Sequence, residues 1–218
     1  MVGMAPSKTP AHSALLNSLD QRVRKVDEDR WLSSRYATSE QRKALIPLYA
    51  FYFELARVRL VVSEPTLGAM RFQWWRDALE NLSRADAPEH DVAIALKAVL
   101  EGGQIDLSGL QKLIDSHEAA FEANDRSLEP EVRLAGIAAR IFVPAHGWGE
   151  GISALAPHWA ALRRNEQIGY GPVVSRVPSG IRPAVAHFRL RRLYASPKLP
   201  SPITKRFCVF RAIQSGRV

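Results

Sequence analysis

TSEQRKALIPLYAFYFELARVRLVVSEPTLGAMRFQWWRDAL, residues 38–79, decides the architecture. Thr38 with Gln41 three residues on is a capping box, and the apolar run behind it predicts a helix to residue 62. Pro47 lies one to two turns inside, where a kink is expected rather than a break. Ser63-Glu64-Pro65 closes this helix and opens a second, because Pro disfavours helix before itself and is tolerated in a first turn. Trp74 and Trp75 on that second helix point about 100° apart. One can be core while the other lines a cavity, with packing for both as the plainer reading.

Composition narrows the class. At 218 residues and 46% hydrophobic content, one domain with a real core is the default. Its longest apolar candidate, residues 44–62, carries Glu54, Arg57 and Arg59, so no membrane span is expected. The single Cys208 excludes an internal disulfide and suits a buried small residue in a reducing compartment. Residues 1–19 lack a secretory apolar core and are poor in Arg. They read as a frayed leader, with Ser18 or Asp20 capping a short helix that ends near Asp27. The domain plan is a flexible leader at 1–26, a helical domain at 27–162 and a basic segment at 163–218. A cytoplasmic location is expected, at most peripheral on an inner membrane surface.

YAFYFELARVR followed by SEPTLGAMRFQWWRDAL resembles the squalene/phytoene synthase family, especially its divergent bacterial members and their complex I assembly factor relatives. Asp29-Arg30-Trp31-Leu32 and Leu113-Ile114-Asp115 fit the same pattern. The resemblance runs from about residue 27 to 121, and RFQWWRDAL is its most specific part. It refines the helical periodicity to an all-α, isoprenoid-synthase-type bundle, truncated relative to the synthases.

Synthases of this family use two aspartate-rich motifs to hold Mg²⁺ against a substrate diphosphate. The resemblance places the first on Ala56, Arg57 and Leu60, and a preceding arginine on Phe53. Tyr49, Phe53, Ala56 and Leu60 share one helical stripe, which is apolar here. Glu54 lies roughly 200° from Ala56 and faces away. Pro65 disfavours a helical Glu64. The second motif belongs in the last third, yet no Asp follows Asp125. Mg²⁺ is therefore expected only if the chain is a synthase after all, and no other cofactor is implied. Arg35, Tyr49, Phe53, Arg57, Arg59, Arg71, Trp74 and Arg76 are the candidate cavity or diphosphate-binding residues.

Other constellations carry less. Asp27-Glu28-Asp29 can converge at most pairwise, and negative charge near a helix N-terminus explains it. Asp115, Glu118 and Glu122, with His117 beside them, share a stripe that reads as a metal site or as a solvated acidic face. Residues 85–88 read as a loop, 89–100 as a helix stopped by Gly102-Gly103, 106–124 as a helix and 129–143 as another. His146-Gly147-Trp148-Gly149-Glu150-Gly151 has phosphate-loop glycines without a βαβ context, so a flexible connection is expected.

From Arg163 onward twelve Lys/Arg face one acid, Glu166, a net of +11; the chain totals +8, so residues 1–162 sit at −3. Such a segment seeks an anionic surface. Residues 184–194 (AVAHFRLRRLY) read as a basic helix on anionic lipid, and 204–213 as a short terminal helix. Three functions remain. The first is a catalytically degenerate family relative that aids assembly of respiratory complex I through a subunit of that complex. The second is a prenyl-diphosphate transferase in which arginines bind an isoprenoid diphosphate or lipid directly. The third is a basic membrane- or nucleic-acid-binding module. Nucleic acid is disfavoured, because no helix-turn-helix, zinc or RNA-recognition signature occurs.

Overall fold

A computed structural model describes residues 10–82, 89–125, 130–166, 168–169, 171–196 and 198–218. Every regular element among them is helical: α1 Pro10–Val26, α2 Glu28–Ser34, α3 Ser39–Val61, α4 Pro65–Glu80, α5 Asp91–Glu101, α6 Leu107–Glu122, α7 Glu131–Phe142 and α8 Gly149–Arg163. The short helices α9 Arg182–Val185 and α10 Arg191–Tyr194 and the longer α11 Pro202–Ser215 follow, with 3₁₀ turns at Ser179–Ile181 and Ala186–Leu190. The architecture is the all-α bundle expected for the isoprenoid-synthase type.

α3 is the central post. Its capping box forms: the Gln41 N–H donates to Thr38 Oγ1 at 3.3 Å and the Thr38 N–H to Gln41 Oε1 at 3.0 Å. The helix continues through Pro47. Residues 44–52 are all buried, the pattern of a helix surrounded on every side. α1, α5, α6 and α7 pack around it. α4 lies on α6, and Gly68 allows this approach: a Cβ there would meet Phe121 Cε1 at 2.1 Å.

Several segments depart from the sequence reading. The supposed leader holds a full helix from Pro10, not one starting near Ser18, because Leu19 and Val23 bury themselves against α3. The glycine-rich stretch after His146 is not a loop throughout: Gly149–Gly151 is the first turn of α8. Gly151 lets the Trp148 indole fold across that turn, since a Cβ would sit 2.3 Å from the ring. Residues 184–194 do not form one basic helix on a surface. They break into short turns with Ala184, Val185, Ala186, His187, Phe188 and Leu190 buried, so their apolar side chains fill the core rather than face lipid. The expected loop at 85–88 and the start of the helix expected from residue 129 lie outside the described residues.

The basic C-terminal third packs on the same body. Tyr194 donates to Asp29 Oδ2 at 2.6 Å, Lys205 Nζ lies 3.0 Å from Glu28 Oε2 and 3.2 Å from Asp29 Oδ1, and Ser33 donates to the Pro183 carbonyl at 2.8 Å. The acidic run 27–29 is thus a dock for that segment. Phe188 is fully buried within it, so Phe188→Ala should lower the unfolding free energy by about 3–5 kcal/mol. In urea denaturation one cooperative transition should shift as a whole. A first transition that moves while a second stays put would show that residues 163–218 fold separately.

Candidate functional site

α2, α3, α7 and α8 converge on a cavity of about 970 Å³. Its rim holds Leu60, Ser63 and Pro65, and one wall is Phe53 and Ala56. Glu122 on α6 and Arg59, Arg163 and Arg164 also line it. Its buried end holds Asp27, Arg30, Tyr52 and Glu131.

Arg30 organises that end. It is 3% exposed and ion-paired with both Asp27 and Glu131. Its guanidinium carbon lies 4.9 Å from the Tyr52 ring centroid and 4.8 Å from that of Trp159. Tyr52 in turn donates to Glu131 Oε1 at 2.7 Å. Arg163 donates to Asp27 Oδ1 at 2.9 Å and lies 5.2 Å over Trp159. Burial alone would raise the Asp27 carboxyl, but the Arg163 and Arg30 guanidiniums outweigh it and hold it down at about 2. The same burial, opposed by Asp27 and Asp29, leaves Arg163 more firmly protonated than usual.

Two histidines extend the ring contacts. His117 meets Tyr52 edge-on at 4.7 Å, and His187 meets Trp159 at 4.8 Å. Both are buried, and neither imidazole has a hydrogen-bond partner among the described residues. Burial pushes both well below the usual histidine range, aided by Arg59 and Arg30 for His117 and by Arg30 for His187.

The eight residues singled out in the sequence fall in several places. Phe53 and Arg59 line the large cavity. Arg57, Arg71 and Trp74 instead border a separate cavity of about 220 Å³ with Trp75 and His90, and Arg57 pairs with Glu54 at 3.2 Å. Trp75 is buried and Trp74 is 41% exposed, so the pair divides as the 100° offset requires. Tyr49 is core, and burial pushes its hydroxyl up. Arg35 lies over Trp31 and pairs with Asp20 at 2.6 Å. Arg76 is clamped by Asp115, at 2.8 Å, and by Glu118, whose contact contributes most to raising its pKa. That clamp accounts for two of the three carboxylates on the α6 stripe.

Mg²⁺, which the resemblance implies for a synthase, does not fit these residues. A hard dication needs converging oxygen ligands. From α3 the cavity receives Phe53, Ala56, Arg59 and Leu60, Glu122 is a single carboxylate, and Asp27 and Glu131 already engage guanidiniums. Among the described residues, no group of three or more His, Cys, Asp or Glu is placed to hold a metal.

The buried imidazoles set the acid response of the fold. Their folded pKa values lie below the unfolded value near 6.5, so the unfolded chain binds more protons as pH falls past it, and stability drops. Each contributes a slope of up to about 1.4 kcal/mol per pH unit. Asp27 adds a second loss between about 3.8 and about 2, where its carboxylate protonates. Urea midpoints measured from pH 7 to pH 5 should fall steeply, and His117→Phe should remove about half of that slope. A flat profile would show that the histidines titrate normally.

The squalene/phytoene synthase family pattern matches residues 23–129. Human NADH dehydrogenase (ubiquinone) complex I, assembly factor 6, is 34% identical over 96 residues, which cover 44% of this chain and 29% of the human protein. The bovine protein of the same name is 33% identical and the mouse one 34%, over the same shares. The chain thus matches less than a third of the length of these relatives. No solved structure matches it. The helical body carries a squalene/phytoene-synthase-like fold, related to the complex I assembly factor branch.

Proposed function

We propose that this chain is a catalytically degenerate relative of the squalene/phytoene synthases and serves in assembly of respiratory complex I by contacting one of its subunits. The observation that carries the reading is the chemistry of the large cavity. Where the resemblance sets metal-binding carboxylates the chain has Ala56, Arg57 and Leu60, and of these Ala56 and Leu60 line the cavity beside Phe53. The acids that do line the buried end, Asp27 and Glu131, form ion pairs with Arg30 and Arg163. Ionisation of an allylic diphosphate needs its leaving group neutralised, usually by metal. The similarity to complex I assembly factor 6 supports the assembly role.

A second reading keeps one supporting observation. Arg30, Arg59, Arg163 and Arg164 all line the cavity, so guanidiniums would contact a diphosphate directly. Of the arginines singled out in the sequence, only Arg59 is among them.

Incubation of the purified chain with Mg²⁺ and labelled farnesyl or geranylgeranyl diphosphate separates the two. The proposal expects neither condensed product nor released pyrophosphate, and no protection against thermal unfolding. Turnover that disappears in Arg59→Ala would establish the transferase instead. In the source cells, loss of the chain should lower the amount of fully assembled complex I on native gels, with recovery on re-expression. Unchanged complex I would contradict the assembly role.

A further inference from the structure

α11 is apolar on two sides. Cys208, Val209 and Ala212 face the bundle and are buried. On the outward side Ile203, Phe207 and Phe210 stand at i, i+4 and i+7, with exposures of 77%, 60% and 42%. At 100° per residue they span a narrow stripe, and Arg206 and Arg211 fall on either side of it. Leu199, ahead of the helix start, is 88% exposed as well. Large apolar side chains in a row along one helix face mark an interaction surface rather than scattered exposure.

The chemistry of the flanks selects the occupant. No acid follows Glu166 in the sequence, while Arg206 and Arg211 border the stripe and Arg217 lies just beyond the helix end. Lys205 is the exception, turned inward to Glu28 and Asp29. A projecting apolar ridge between guanidiniums has the layout of an interfacial helix: rings enter the acyl boundary while the cations stay among headgroup phosphates. A protein partner must supply a matching groove; a bilayer adapts to the ridge. No helix among the described residues is long and apolar enough to cross a membrane, so the contact lies in the plane of the surface. We propose that the outer face of α11 docks this protein on anionic lipid bilayers, with Phe207 and Phe210 as the inserted groups. The proposal is independent of whether the large cavity is catalytic.

Sedimentation of the full chain with vesicles tests it. Vesicles of equal parts phosphatidylcholine and phosphatidylglycerol should bind, and pure phosphatidylcholine should not. Phe207→Ser with Phe210→Ser should weaken binding about tenfold or more. Arg206→Gln with Arg211→Gln should weaken it about twentyfold and flatten its salt dependence. Among the described residues the ring contact of Phe210 is with Tyr36, 6.5 Å between centroids, and Phe207 lies under Arg211 at 5.9 Å, so the variants should lower the urea midpoint only slightly. Absence of binding to anionic vesicles overturns the proposal. So does binding that is indifferent to the two Phe substitutions, or duplex DNA bound as tightly as the vesicles with the same indifference, either of which would reduce the surface to a general polyanion contact.

Discussion

A guanidinium sealed inside a helical bundle dictates how the helices of this protein face one another. Arg30 is almost wholly removed from water. Desolvating such an ion costs several kcal/mol, which attraction recovers only when partners surround it with good geometry. Those partners come from different parts of the chain: Asp27 immediately precedes α2, Tyr52 lies on α3, Glu131 opens α7 and Trp159 lies on α8. A single electrostatic requirement therefore fixes the mutual orientation of four helices. Well-packed apolar residues replacing a whole buried ion-pair network often match its stability, but would not specify which face of each helix turns inward.

The same requirement shapes the cavity. The carboxylates at its buried end are engaged by Arg30 and Arg163 before any ligand arrives, and its wall on α3 is apolar. A binding pocket remains in volume, while the groups that would draw in a divalent cation serve packing. The strongly basic C-terminal third divides its charge in two directions. Arg163, Lys205 and the Tyr194 hydroxyl reach inward to the acidic run 27–29, and Arg206 and Arg211 face out. Charge asymmetry between the two halves of the sequence is thus partly internal to the fold.

What the sequence disclosed followed the range of the interactions. The capping box at Thr38, the stop at Ser63-Glu64-Pro65 and the split of Trp74 from Trp75 are local, and the structure repeats each of them. The Arg30 network is not local. Asp27 stands three residues away, a readable spacing, but Glu131 and Trp159 lie more than a hundred positions downstream and no periodicity links them. α8 was hidden by its glycine-rich first turn and by Pro157. The sequence of residues 184–194 points to a surface helix although the segment fills the core, because apolar residues mixed with arginines look alike whether they face a core or a membrane. α11 is harder still: being apolar toward both the core and the outside, it has little amphipathic signature to read.

Arg30 and Glu131 hold the bundle together rather than await a ligand, a role that the unfolding energetics of their variants discriminate. Residues kept in a site for ligand binding commonly leave the fold as stable or more stable when replaced. Here urea denaturation should show Glu131→Gln and Arg30→Met each destabilising by about 3–5 kcal/mol, with the double variant losing clearly less than the sum. Single variants that match or exceed the parent in stability, with additive effects in the double, would mean instead that these side chains are kept for a ligand of the cavity.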